Sequence, residues 1–138
     1  GGFALAAGFG VSGLDKWIGS KLTGVSDWPL WLTVLVICLA VTFLTELTSN
    51  TATTTMILPI LGMAAVAATI HPLFFMVPAT LAASFAFMLP VATPPNAIVF
   101  GSGWVSIPKM SRAGLILNLI GAGIVTTAVL VLVKVLFL

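Results

Sequence analysis

Four apolar runs, 29–44, 56–70, 73–89 and 113–138, alternate with short polar interruptions along the chain. Each run is predicted to be helical. The first two are about 15 residues long, short of the roughly 20 a helix needs to cross a hydrocarbon core. The polar cluster Thr45-Glu46-Leu47-Thr48-Ser49-Asn50-Thr51-Ala52-Thr53-Thr54-Thr55 separates them. The segment 29–70 is therefore either two crossings joined by a loop or a re-entrant hairpin stopping near the midplane, with its tip at 48–52. Short arms and a tip without Lys or Arg favour the hairpin.

A second interruption lies at Pro90, Pro94 and Pro95. Proline removes a backbone donor and clashes with the preceding turn, but suits the first turn of a new helix. One half-helix is thus expected to end at about Leu89 and another to start near Pro95. Together they make a discontinuous helix over 73–103 with its break at 90–96. A loop over 104–112 follows, then a final transmembrane helix over 113–138, from whose end Lys134 can snorkel.

Upstream, 1–28 reads as the end of a preceding helix plus an interfacial amphipathic segment. Leu14, Trp17, Ile18 and Leu22 fall at helical spacing there, with Trp17 and Trp28 as aromatic anchors. The opening residues Gly1-Gly2-Phe3-Ala4-Leu5-Ala6-Ala7 resemble a helix begun upstream, so the sequence is expected to be part of a longer protein. It shows no charged n-region or small-residue cleavage signature, and no signal peptide is expected.

Composition agrees with the pattern. The 138 residues are 60% hydrophobic and 6% charged, with a mean hydropathy of +1.27, whereas a soluble domain carries about 25% charged residues. The expected class is an all-α integral membrane protein in the cell inner or plasma membrane. A net charge of +2, scattered along the chain, excludes a nucleic-acid surface. Lone Cys38 is expected to be a buried, inert thiol. Lys109 and Arg112, with no acid nearby, place the 104–112 loop in the cytoplasm by the positive-inside rule, and hence the C-terminus outside.

The two breaks carry the candidate chemistry. A helix ending at Leu47–Thr48 leaves carbonyls unpaired, and one starting at Ser49–Asn50 leaves amides unpaired. Carbonyl and hydroxyl oxygens suit a hard cation; amides at a helix start suit an anion. The break at 92–96 is expected to offer the same pair of ends. Facing broken helices mark substrate and ion sites in secondary transporters. The oxygen donors would be the Thr45 hydroxyl, the Thr48 and Ala92 carbonyls and the Asn50 side chain. Ser49, Asn50, Thr51 and Thr93 would hold carboxylates.

The string from Thr45 to Thr54, then Leu58-Pro59, then Phe87-Met88-Leu89-Pro90-Val91-Ala92-Thr93-Pro94-Pro95-Asn96-Ala97-Ile98-Val99-Phe100 resembles the divalent anion:sodium symporter family. The whole chain looks like the C-terminal half of such a di- or tricarboxylate transporter. The resemblance implies one of two inverted repeats, with 29–70 as its re-entrant hairpin, and an elevator-type homodimer in the lipid bilayer. It implies a sodium (Na+) site at Thr45, Thr48, Asn50 and Ala92, with substrate contacts at Ser49, Asn50, Thr51, Thr93 and Pro94. The missing N-terminal half would complete the site, and succinate-like anions would be the substrate. An exchanger of the same fold is the alternative.

Other polar residues have quieter readings. Hydroxyls at 53–55 bond back to the preceding turn. Glu46 is either a functional acid or a brace for the tip. His71 is a surface residue, and the sets Gly62/Ala64/Ala65/Ala67/Ala68 and Gly114/Gly121/Gly123 serve close helix packing. Gly101-Ser102-Gly103 raises an intramembrane serine protease, which needs a His base beside the Ser. The sole histidine, His71, belongs to the opposite end of the broken helix, so no enzyme is expected. A channel or structural membrane subunit is the third class, separated from a transporter by sodium-dependent counterflow of succinate.

Overall fold

From Leu30 onward the chain forms α1 Leu30–Thr45, α2 Asn50–Ala67, α3 Leu73–Ala82, α4 Pro94–Gly101 and α5 Ile107–Phe137. The computed structural model describes Gly8, residues 11–13 and residues 28–137. Apart from those few positions, the expected helix tail and interfacial segment over 1–28 lie outside the described residues. The described architecture is all-helical, as the apolar runs predict.

At 1.5 Å per residue, the 16 residues of α1 span about 24 Å and the 10 of α3 about 15 Å. Neither reaches the roughly 30 Å of a hydrocarbon core. Only α2 and α5, among the described helices, are long and apolar enough to cross.

The core forms where α1, α3 and α5 meet. Val34, Cys38 and Val41 recur at helical spacing on α1, and Ala122, Val125, Val129 and Val133 on α5. Between them lie Phe74, Phe75, Ala79 and Ala82 of α3. α3 also packs on α2. Away from this core α5 exposes Ile116, Leu117, Leu119, Ile120, Ile124, Val131, Leu132 and Val135, an apolar surface suited to lipid or protein.

Two boundaries differ from the sequence reading. α3 stops at Ala82, well before the expected Leu89. Its end is fixed by side chains of α1. The Cys38 thiol (4.0 Å), the Thr42 hydroxyl (3.4 Å) and the Thr45 hydroxyl (3.0 Å) point at the carbonyls of Pro78, Ala82 and Ala83. A buried helix end needs such partners, because water cannot supply them. α5 in turn starts at Ile107, not 113, with Pro108 in its first turn, where the lost N–H costs nothing. Lys109 and Arg112 therefore stand on the helix.

The irregular stretch after α3 lies in a groove on α5. A Cβ on Gly114 would overlap the Phe87 carbonyl and come within 2.6 Å of the Met88 Cα; one on Gly121 would meet the Phe85 ring at 2.8 Å. These two glycines serve close packing, against an unwound segment rather than a helix. Gly123 faces open space.

Candidate functional site

Between α1 and α2 the helix is interrupted only over 46–49. Ser49, the residue before α2, has extended backbone (φ −67°, ψ 131°) and caps no amide with its side chain. Thr53 N–H reaches back to the Ser49 carbonyl at 2.8 Å. The amides of Asn50, Thr51 and Ala52 find no acceptor among the described residues. A helix start with three unspent amides carries partial positive charge.

The start of α4 differs. Pro94 and Pro95 have no N–H, the Asn96 amide is taken by the Thr93 hydroxyl at 3.4 Å, and Ala97 N–H by the Thr93 carbonyl at 3.1 Å. The expectation of equal ends therefore fails on the amide side: the prolines leave α4 without a free donor in its first turn. Its contribution is oxygen. The Ala92 carbonyl, like that of Thr48, accepts no hydrogen bond among the described residues.

These two interruptions face one cavity of about 500 Å³, lined by Glu46, Leu47, Thr48, Ser49, Asn50, Thr51, Val91, Ala92, Thr93 and Pro94. All the predicted substrate contacts fall on this lining, as do Thr48 and Ala92. Thr45 stands behind it, fully buried. Its hydroxyl lies 2.5 Å from the Asn50 Oδ1 and 3.0 Å from the Ala83 carbonyl oxygen. One hydroxyl proton serves one acceptor at a time, so this oxygen cluster is short of protons. The Thr48 hydroxyl turns away, donating to the Leu44 carbonyl (2.8 Å) or sharing its proton with Thr53 (2.6 Å). Only the Thr48 carbonyl remains as its oxygen donor. No Lys or Arg lines the cavity. Thr54 and Thr55 donate to carbonyls one turn back, as expected.

Glu46 ties the two interruptions together. It is 4% exposed. Its Oε1 accepts the Met88 N–H at 2.9 Å and the Asn118 Nδ2 at 2.8 Å, and its Oε2 accepts the Leu89 N–H at 3.1 Å. It is thus a brace, though for the far break rather than its own tip. Asn96 closes that break from the other side, donating through Nδ2 to the Ala86 (2.7 Å) and Leu89 (3.0 Å) carbonyls. Sequence reasoning missed Asn118, Asn96 and the Ala83 carbonyl. Asn118 could have been found, since a lone amide within the apolar run 113–138 is anomalous at membrane depth.

Ser102, the rival nucleophile, donates to the Val99 carbonyl at 2.7 Å and accepts the Trp104 N–H at 3.3 Å. Those bonds pair it with its own turn and not with a base. His71 accepts the Leu73 N–H through Nδ1 at 3.4 Å.

Comparison with known proteins assigns this sequence to a family. A sequence model of the sodium:sulfate symporter transmembrane region matches residues 1–138. Solute carrier family 13 member 2 of Mus musculus is 56% identical over 129 residues, covering 94% of this chain and 22% of that protein. The sodium-dependent dicarboxylate transporter SdcS of Staphylococcus saprophyticus is 53% identical over 133 residues, 96% of this chain and 26% of its own length. Human solute carrier family 13 member 1 is 52% identical over 125 residues, 91% and 21% respectively. The chain thus spans about a quarter or less of these relatives. This is a transport family of membrane proteins, not of enzymes, and the motifs that resembled the divalent anion:sodium symporters led to it. The chain belongs to the sodium:sulfate symporter family.

Proposed function

We propose that the cavity between the 46–51 tip and the 91–94 break is part of a site for a di- or tricarboxylate and a sodium ion. The whole protein would be a secondary transporter of succinate-like anions. One observation carries this reading. A single cavity combines three unspent amides at the start of α2 with oxygens of Asn50, Thr48 and Ala92, backed by the buried Thr45 hydroxyl, and has no cationic side chain on its lining.

The division of labour follows from the chemistry. Ser49, Asn50 and Thr51, with the amides behind them, meet the carboxylate; Thr93 and Pro94 close the opposite wall. Sodium sits among the Thr45 hydroxyl, the Asn50 Oδ1 and the Thr48 and Ala92 carbonyls, a set of hard oxygens. The cation supplies the positive charge that arginine supplies elsewhere, so the anion binds well only when sodium is present. The similarity to SdcS, a sodium-dependent dicarboxylate transporter, supports both ligands.

In this reading 29–70 is a re-entrant hairpin and 73–103 a discontinuous helix, both moving in an elevator-type homodimer with the C-terminus outside. The segments that complete the site come from the rest of the protein, which alone makes transport possible. Sulfate, a smaller dianion named in the family's description, is the second candidate, because amides at a helix start bind it too.

Asn50→Ala in the complete transporter, reconstituted in vesicles, tests the site. Labelled succinate uptake should fall to background at ordinary sodium. Uptake that stays normal at saturating sodium and keeps its sodium dependence would sink the assignment. Competition by unlabelled sulfate separates the two anions.

A further inference from the structure

Asn118 lies on α5, outside the cavity lining, and is completely buried. Its Nδ2 donates to Glu46, but its Oδ1 has no partner and is the one such buried side-chain atom among the described residues. An orphaned carbonyl in a dry interior is destabilising, and each such group calls for an explanation. Leucine has nearly the same shape and would remove the orphan. It would also take away the donor that meets the buried Glu46 carboxylate.

The surroundings give the explanation. Gly114 and Gly121, one turn to either side of Asn118, seat the Phe87–Met88 backbone and the Phe85 ring against α5. In the middle of that seat, Asn118 holds the Glu46 carboxylate, which in turn holds the Met88 and Leu89 amides. Glu46 directly follows Thr45, and Leu89 accepts the Ala92 N–H at 3.2 Å. The oxygens at Thr45 and Ala92, on opposite walls, are therefore linked through this carboxylate. Among the described residues Glu46 is also the only acid.

We infer that Asn118 is a positioning residue for the cation site: its amide orients Glu46, and Glu46 fixes the spacing between the tip and the break whose oxygens receive sodium. This rests on the reading of the cavity given above. It adds a residue that touches neither ligand. Partners of this outer kind, hydrogen-bonded to ligating elements, tune affinity without contributing to the inner coordination.

The test is Asn118→Leu in the complete transporter, measured against the unsubstituted protein for melting temperature without sodium, half-saturating sodium, and the KM and maximal rate for succinate at saturating sodium. The melting temperature should change little, because removal of the orphan offsets loss of the hydrogen bond to Glu46. Half-saturating sodium should rise about tenfold, the lower end of the effect of removing such a partner. The KM and maximal rate at saturating sodium should stay within about twofold, a split that a general loss of structure would not produce. Unchanged half-saturating sodium overturns the inference while leaving the cavity's reading intact. So does a variant that fails to accumulate in the membrane, which would assign Asn118 to the fold alone. If the unsubstituted protein shows no sodium-dependent anion uptake, the reading of the cavity falls and this inference with it.

Discussion

The two helix starts that face the cavity, α2 at Asn50 and α4 at Pro94, look alike in the sequence and differ in what they offer. Both follow a short polar hydroxyl residue, and both begin after an extended one. At α2 the capping side chain is unspent and three amides stay open. At α4 two prolines delete the first donors and Thr93 takes the third. The α2 start offers open amides beside open oxygens, whereas the α4 side offers only the Ala92 carbonyl oxygen. A pair of equivalent ends would have attracted an anion from both walls. In the proposed reading the unequal pair takes an ion of each sign.

Glu46 joins the two breaks through the Met88 and Leu89 amides, and its loss should have the largest effect. Glu46→Ala leaves the Met88 and Leu89 amides and the Asn118 amide without an acceptor. At about 1–3 kcal/mol for each buried unsatisfied group, the loss is on the order of 3–9 kcal/mol, against a typical stability of about 5–15 kcal/mol. The purified variant should melt at a much lower temperature and take up no succinate at any sodium concentration. A melting temperature close to the parent's would mean that the break holds its shape without the tip.

A smaller pair of substitutions probes the two starts directly. Ser49→Ala removes a hydroxyl that caps nothing, so the melting temperature should be unchanged while the KM for succinate rises. Thr93→Ala removes the cap on Asn96, a long bond of 3.4 Å, and should cost no more than about 1 kcal/mol of stability. Thermal melts and uptake on both variants check this. A stability loss at Ser49 larger than that at Thr93 would reverse the comparison.

Much of this was legible in the residues. Threonines, serine and asparagine between apolar runs located the tip, because such groups at membrane depth need a polar neighbour. Pro94 and Pro95 located the start of α4. The end of α3 was not legible. The run 73–89 stays apolar past Ala82, and nothing local stops the helix there. It stops because Thr42 and Thr45, about 40 residues earlier, satisfy its last carbonyls, and because Gly114 and Gly121, some 30 residues later, make room for the unwound chain. Hydrophobic periodicity records a residue's surface preference, not these distant partners. Glu46 was legible as an anomaly in the same way, while its partners Met88, Leu89 and Asn118 were not.

The turn between α2 and α3 is the control for the two breaks that face the cavity. It interrupts the helices just as sharply but lies outside the cavity of the other two breaks, and its backbone closes on itself: Ile70 N–H bonds the Ala65 carbonyl at 2.9 Å and Thr69 N–H the Val66 carbonyl at 3.0 Å. That is the Schellman pattern, which normally places glycine where Thr69 sits. Thr69 holds φ at +57°, a left-handed conformation that a β-branched side chain adopts only under strain. Relief of about 1–3 kcal/mol of strain, set against about 0.5–1 kcal/mol for the greater freedom of unfolded glycine, predicts a small gain for Thr69→Gly. Its melting temperature should rise by a few degrees, with half-saturating sodium and succinate KM both unchanged. A shift in either constant would show that strain in this turn reaches the cavity, and the contrast between a break that binds and a break that only turns would no longer hold.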